Sequence, residues 1–230
     1  MINAALLRAE VEKRLPSAFM TYKPEYRGSI PTGIPAVDSL VQGIPLHALT
    51  EICGNDMASS GKTSLMVSLL AEVSQNRCCA LVDASDSFDP ETGYDAGIKF
   101  PRMLWVRCGK VKTKFSPLQQ AFKVADILLQ NGSFKLIAVD ISGIREHVVR
   151  KIPLSMWYRF SRVVEKHSTA LVFVEQEPHA ASCAELVLRL RTEPPRLDIF
   201  TGLDLKVEVL RSTKKPARAE SGFFLNTQWA

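Results

Sequence analysis

Residues 51–65 read EICGNDMASSGKTSL: an apolar strand pattern, a loop containing glycine, then Gly61-Lys62-Thr63 and an apolar helical run. Such a loop can hold phosphate. Successive backbone N–H groups and a helix N-terminus offer partial positive charge, a lysine reaches the outer phosphates, and a hydroxyl takes magnesium. On this reading the cradle is built from Gly54, Ser59, Ser60, Gly61, Lys62, Thr63 and Ser64. Its spacing is irregular. The usual G-x-x-x-x-G-K-[ST] run calls for glycine at 56, where the chain has Asp56, and the nearest glycine is Gly54, so the loop is longer than the pattern. A second feature is FKLIAVD over 134–140, an apolar strand closing on Asp140, at the carboxyl end where α/β sheets place ligands. With Thr63, Asp140 is the expected holder of a nucleotide-bound magnesium.

These groups have to be positioned by a sheet. From residue 48 onward short apolar runs (ALTEIC, CCALVD, MLWVRC, FKLIAVD and TALVFV) alternate with helical patterns, the signature of a mainly parallel sheet with crossover helices. The intervening helical stripes are Leu65, Met66, Leu69, Leu70 and Val73; then Leu118, Ala121, Phe122, Ala125, Leu128 and Leu129; then a run from about Pro153 to His167. In that third helix Pro153 suits the first helical position, and Met156, Phe160, Val163 and Val164 are expected to face inward. All three stripes read as core. After residue 184, Leu186, Leu188 and Leu190 alternate with Val187, Arg189 and Arg191, and later Leu203, Leu205, Val207 and Val209 alternate with Asp204, Lys206 and Glu208, predicting antiparallel strands with one wet face. The expected fold is α/β, a mainly parallel sheet flanked by helices and finished by antiparallel strands. Residues 1–28 are expected to form an amphipathic helix (Leu6, Leu7, Val11 and Leu15 on one face) and a connecting arm, with the core domain over 29–230.

Composition narrows the function classes. At 230 residues and 46% hydrophobic content, the chain can bury one sizeable core. A formal net charge of +5 suits nucleic acid, an acidic partner or ordinary solubility. Five cysteines, mostly inside apolar runs, read as reduced core thiols, and four scattered histidines suggest no structural metal site. With no secretory leader and no apolar run near the ~20 residues that span a bilayer, a cytoplasmic location without membrane partners is expected.

The order of these features resembles a known family. PTGIPAVDSLVQGIPLHALTEICG, then SSGKTSL, then CCALVDASDSFDP is similar to the core of the RecA recombinase superfamily, in which a threonine-glycine turn and a short helix precede the phosphate loop. The tail LKVEVLRSTKKPARAESGFFL resembles the final strand pair of that core. The likeness covers about residues 29–226. Within the superfamily the chain resembles most the ImuA-type proteins, accessory factors of damage-induced (SOS) mutagenesis. LWVRCG over 104–109, IPLSMWYRF over 152–160 and HAASCAELVLRLR over 179–191 carry that narrower likeness.

The resemblance implies specific roles and specific losses. The adenine-contacting aspartate of the family falls on Asp89. The stacking aromatic falls on Thr92, so stacking is lost unless Tyr94 takes its place. The glutamate that activates water falls on Ser85, whose hydroxyl cannot act as that base. Asp86 is expected to be a poor substitute, because neighbouring side chains of an extended strand point to opposite sides. Gln176 matches the glutamine that links nucleotide state to the second DNA loop, yet the next strand follows by about Glu185, too soon for a loop that wraps DNA. Two basic stretches are candidate DNA or neighbouring-subunit contacts. One holds Lys99, Arg102, Arg107, Lys110, Lys112 and Lys114, the other Arg211, Lys214, Lys215 and Arg218.

The expectation is therefore a RecA-like non-recombinase accessory protein, a scaffold of translesion synthesis in the DNA damage response. Its ATP and Mg2+ would be weakly bound or not hydrolysed. The implied partners are an inactive Y-family polymerase relative of the ImuB type, an error-prone replicative-type polymerase and RecA itself, with weak non-specific DNA binding. Segment 4–15 and the tail through Phe223, Phe224 and Trp229 are candidate docking surfaces. The alternatives are a DNA-stimulated ATPase, a small RecA-type recombinase, or a regulator of RecA filaments.

Overall fold

The computed structural model describes residues 28–54, 60–109, 114–192, 202–213 and 219–226. The proposed amphipathic helix at 4–15 and the C-terminal Trp229 lie outside these residues.

The chain opens with β1 (Ser29–Ile30), α1 (Pro35–Val41) and β2 (Ile44–Pro45), then enters the sheet at β3 (Ala48–Cys53). Next come α2 (Lys62–Ser74), β4 (Cys79–Asp83), α3 (Pro90–Asp95), β5 (Met103–Arg107), α4 (Pro117–Asn131) and β6 (Leu136–Asp140). The second half adds α5 (Glu146–Val149), α6 (Leu154–Val164), β7 (Ala170–Glu175), β8 (Leu186–Thr192), β9 (Gly202–Ser212) and β10 (Glu220–Asn226). Strand order across the main sheet is β10-β9-β8-β3-β7-β6-β4-β5. The fold is thus α/β with a mainly parallel sheet and an antiparallel finish.

Why these runs form parallel strands is visible in their burial. Every residue of β3, β4, β6 and β7 is buried, as a sheet covered on both faces requires. One face carries Ile52, Leu81, Ala138 and Val172 against α1 and α2. The other carries Leu49, Val82, Val139 and Phe173 against α4 and α6.

Two expectations need correction. Strand β8 is not antiparallel to its inner neighbour: it pairs parallel with β3 (Ile52 opposite Leu188), and the reversal comes only between β8 and β9. Alternation misled here because Val187, read as wet, is buried at 5% exposure on the α4/α6 side. Helix α6 begins at Leu154, with Pro153 as its N-cap, and ends at Val164. Its buried stripe is Trp157, Phe160 and Val164, while Met156 and Val163 sit half-buried at the edge.

Helix α4 has a capping box. The Ser116 hydroxyl accepts from the Gln119 N–H at 3.3 Å, and the Gln119 side chain accepts from the Ser116 N–H at 3.0 Å. Ser116→Ala should therefore cost about 1 kcal/mol in urea unfolding, and an unchanged midpoint would show the cap to be idle.

Candidate functional site

The carboxyl ends of the parallel strands bring the sequence motifs together. Cys53 of β3 lies opposite Glu175 of β7, and Asp140 of β6 lies opposite Asp83 of β4. The loop after β3 leads from Gly54 to Gly61, which caps α2 in a left-handed conformation at φ 79°. A side chain there would also overlap Leu205 of β9, and one at Gly54 would come within 2.5 Å of the Ser60 hydroxyl. Close packing therefore requires glycine at both positions, with Leu205 of β9 against Gly61 and the Leu190 carbonyl of β8 near Gly54.

Lys62 is buried at 7% exposure, and its ammonium donates to the Gly54 carbonyl at 3.1 Å, tying the two ends of the loop together. The Ser60 hydroxyl is buried and finds no hydrogen-bond partner among the described residues. Thr63 and Ser64 are exposed on the first turn of α2. Ser59 lies outside the described residues. An orphaned hydroxyl, a buried lysine that reaches the loop carbonyl of Gly54 and an exposed threonine at a helix N-terminus form a donor set that fits a phosphate group.

Asp140 is 2% exposed and accepts from the Ser142 N–H at 2.9 Å. Burial, together with the neighbouring Asp83 charge, raises its carboxyl above the ordinary range, and Lys62 opposes that shift. Asp83 itself serves the backbone. It accepts from the N–H groups of Ser85, Ser87 and Phe88 at 3.0–3.1 Å and shapes the turn after β4.

That turn carries Ser85 and Asp86. Ser85 stands at the end of β4 with its hydroxyl buried and without a partner among the described residues. Gly143 faces it so closely that a Cβ there would overlap the Ser85 side chain. Asp86 does not lie on an extended strand as expected: its backbone is left-handed at φ 56°. Its carboxylate is held by Arg107, at 2.5 Å from Nε and 3.0 Å from Nη2.

The remaining sequence candidates are placed as follows. Asp89 caps α3, accepting from the N–H groups of Glu91 and Thr92 and from the Thr92 hydroxyl at 2.6 Å, which lowers its pKa. Tyr94 is 73% exposed. Gln176 donates through Nε2 to the Ser142 carbonyl at 2.9 Å, joining the end of β7 to the turn after Asp140. Of the basic candidates, Arg102 bonds the Ser74 and Gln75 carbonyls, and Arg211 bonds the Ala181 carbonyl. Arg107 lies 4.8 Å over Trp105 as well as on Asp86. Lys114 is exposed beside Phe115, whereas Lys110, Lys112, Lys214 and Lys215 lie outside the described residues.

Sequence reasoning missed a buried acid pair on the other face of β3 and β7. Glu51 and Glu175 are 0% and 1% exposed. One oxygen of Glu51 accepts from the N–H groups of His179 and Ala180 at 2.6 and 2.5 Å, and one oxygen of Glu175 lies 2.8 Å from His179 Nδ1. The other oxygen of each carboxylate is buried and has no hydrogen-bond partner among the described residues. Burial, then the Glu51 charge and the hydrogen bond to it, push Glu175 well above its ordinary value of 4.5. The consequence is a short connection 176–185 pinned flat against the sheet. A glutamate inside an apolar strand was the available signal, since such a group needs a partner.

The folded state holds the Glu175 proton more tightly than the unfolded chain, so the stability it contributes is present below about pH 4.5 and is lost as pH rises through the raised folded value. Glu175→Gln should flatten the fall in melting temperature above pH 4.5. An unaltered slope would exclude Glu175 as its source.

With this geometry in view, comparison with known proteins gives the lineage. Residues 21–145 match the RecA N-terminal domain family. Curated relatives named Protein RecA include those of Ectopseudomonas oleovorans, 37% identical over 101 residues, and Cutibacterium acnes, 32% identical over 115 residues. That of Colwellia psychrerythraea is 30% identical over 99 residues. The matched stretches make up 43–49% of this chain but only 26–30% of those relatives. The match runs through the threonine-glycine turn, the phosphate loop, the turn after β4 and the Asp140 strand, and on that ground the chain belongs to the RecA N-terminal domain family.

Proposed function

We propose that this chain is a RecA-like accessory protein that binds a magnesium nucleotide weakly, does not hydrolyse it, and acts as a scaffold in translesion synthesis during the DNA damage response. The observation that carries the non-enzymatic part is Ser85. At the strand end where a water-activating carboxylate would stand there is a buried hydroxyl, and the adjacent carboxylate of Asp86 is consumed by Arg107. The pinned connection 176–185 supports the same reading, because Glu51 holds the backbone that a DNA-wrapping loop would have to release.

On this proposal Lys62 and Ser60 face the phosphates, Thr63 and Asp140 hold magnesium, and Asp89 meets the base. The partners are an inactive Y-family polymerase relative, an error-prone replicative-type polymerase and the RecA filament, with weak DNA contact, in the cytoplasm. Among the described residues no helix is long and apolar enough to cross a membrane.

A DNA-stimulated ATPase is the competing reading, favoured by relatives named RecA and by the Gln176 contact to the turn after Asp140. Titration with a fluorescent ATP analogue and magnesium, paired with a phosphate-release assay with and without single-stranded DNA, separates the two. We expect saturable binding with no DNA-dependent release. Release that rises with DNA would overturn the scaffold reading.

A further inference from the structure

An apolar groove of about 530 Å³ opens between α4 and α6, on the face of the sheet opposite α2. Its floor is Leu118, Phe122, Val148, Ile152 and Met156. Its rim is basic: Lys123, Lys151 and Arg159 stand around it, and the one acidic residue lining it, Asp126, is paired with Arg159 at 2.5 Å. The volume falls in the range of preformed binding pockets. Elsewhere on α6, Leu154 and Tyr158 are 51% and 54% exposed. Nothing in the nucleotide reading uses these residues.

We propose that this groove docks an acidic segment of a partner protein, with aliphatic or aromatic anchors seated on the floor and carboxylates meeting Lys123, Lys151 and Arg159. Charge selects that occupant. The chain's own N-terminal stretch is a poor candidate, since Arg8, Lys13, Arg14, Lys23 and Arg27 outnumber Glu10, Glu12 and Glu25. A cationic segment would meet a cationic rim. Single-stranded nucleic acid is disfavoured by the floor, which is largely aliphatic. Of the groove's aromatics, Phe122 is buried, and the Lys123 ammonium sits 3.3 Å from the centroid of the Phe115 ring, occupying a face on which a base would stack.

The test is to pan a display library of random dodecamers on the full chain, with counter-selection on Met156→Glu and on the double variant Lys123→Glu/Lys151→Glu. Enriched peptides are then synthesised with fluorescein and titrated by anisotropy. We expect sequences that combine Asp or Glu with Leu, Ile or Phe, and at least a tenfold loss of affinity for both variants. The rim lysines are exposed, so the double variant keeps the test open if Met156→Glu fails to fold. Enrichment of basic peptides, equal binding to the variants, or no enrichment over counter-selection would overturn the proposal. So would a labelled thymidine 20-mer that loses affinity for the same variants while the peptides do not. Nucleotide binding serves as the internal control, and its loss or retention bears on the phosphate loop alone.

Discussion

Trp157→Ala is expected to remove about 3–5 kcal/mol of unfolding free energy, the range for deleting a fully buried large aromatic. Trp157 is 1% exposed and meets Phe173 edge-on, with ring centroids 4.8 Å apart and planes at 73°. It meets Phe122 at 5.5 Å, and Phe122 and Phe173 both pack on Phe160 at 5.3 and 5.7 Å. Removing the indole leaves a cavity bounded by strand β7 and helix α4, neither of which can close it without shifting an aromatic neighbour. Against a typical total of about 5–15 kcal/mol, the loss leaves the domain marginal at best. Urea unfolding followed by circular dichroism measures it. Leu154→Ala on the same helix, at 51% exposure, should change the midpoint by about 0.5 kcal/mol or less. Equal effects at the two positions would mean that α6 does not pack as described.

The second large effect is at Lys62. Lys62→Ala should weaken binding of a magnesium ATP analogue by roughly 10- to 100-fold, the loss of one charge-assisted hydrogen bond to phosphate of about 1.5–3 kcal/mol. In the free protein the ammonium is bonded to the Gly54 carbonyl, so part of the loss reflects a loop whose ends are no longer tied. Lys62→Arg separates these causes. It keeps the charge but cannot reproduce a point-like ammonium, and should fall between wild type and alanine. Affinity unchanged in the alanine variant, with the fold intact by melting temperature, would mean that the nucleotide does not enter the loop.

Much of the architecture was legible in the residue order because burial writes a periodic signal. ALTEIC coincides with β3 over all its residues, and the stripe Leu118, Ala121, Phe122, Ala125, Leu128 and Leu129 is the buried face of α4. The run Gly61-Lys62-Thr63 was legible as the entry to a helix, and the helix Lys62–Ser74 begins there. The rotation of α6 was less so. Trp157, rather than Met156, points inward because the aromatic side chains of three elements meet there, and helical spacing alone admits either stripe.

What the sequence by itself determined, then, is the alternation of buried strands and amphipathic helices, the family lineage, and the absence of a carboxylate at position 85. Those depend on local periodicity and on residue identity, which the chain carries without reference to its fold. Only the tertiary structure decided that Asp86 is spent on Arg107 and that β8 joins the sheet in parallel. It alone showed that Leu205 packs on Gly61 and that buried Glu51 and Glu175 sit together and hold the connection behind them. Each of those depends on which distant residues become neighbours, and strand pairing, not local sequence, brings them together.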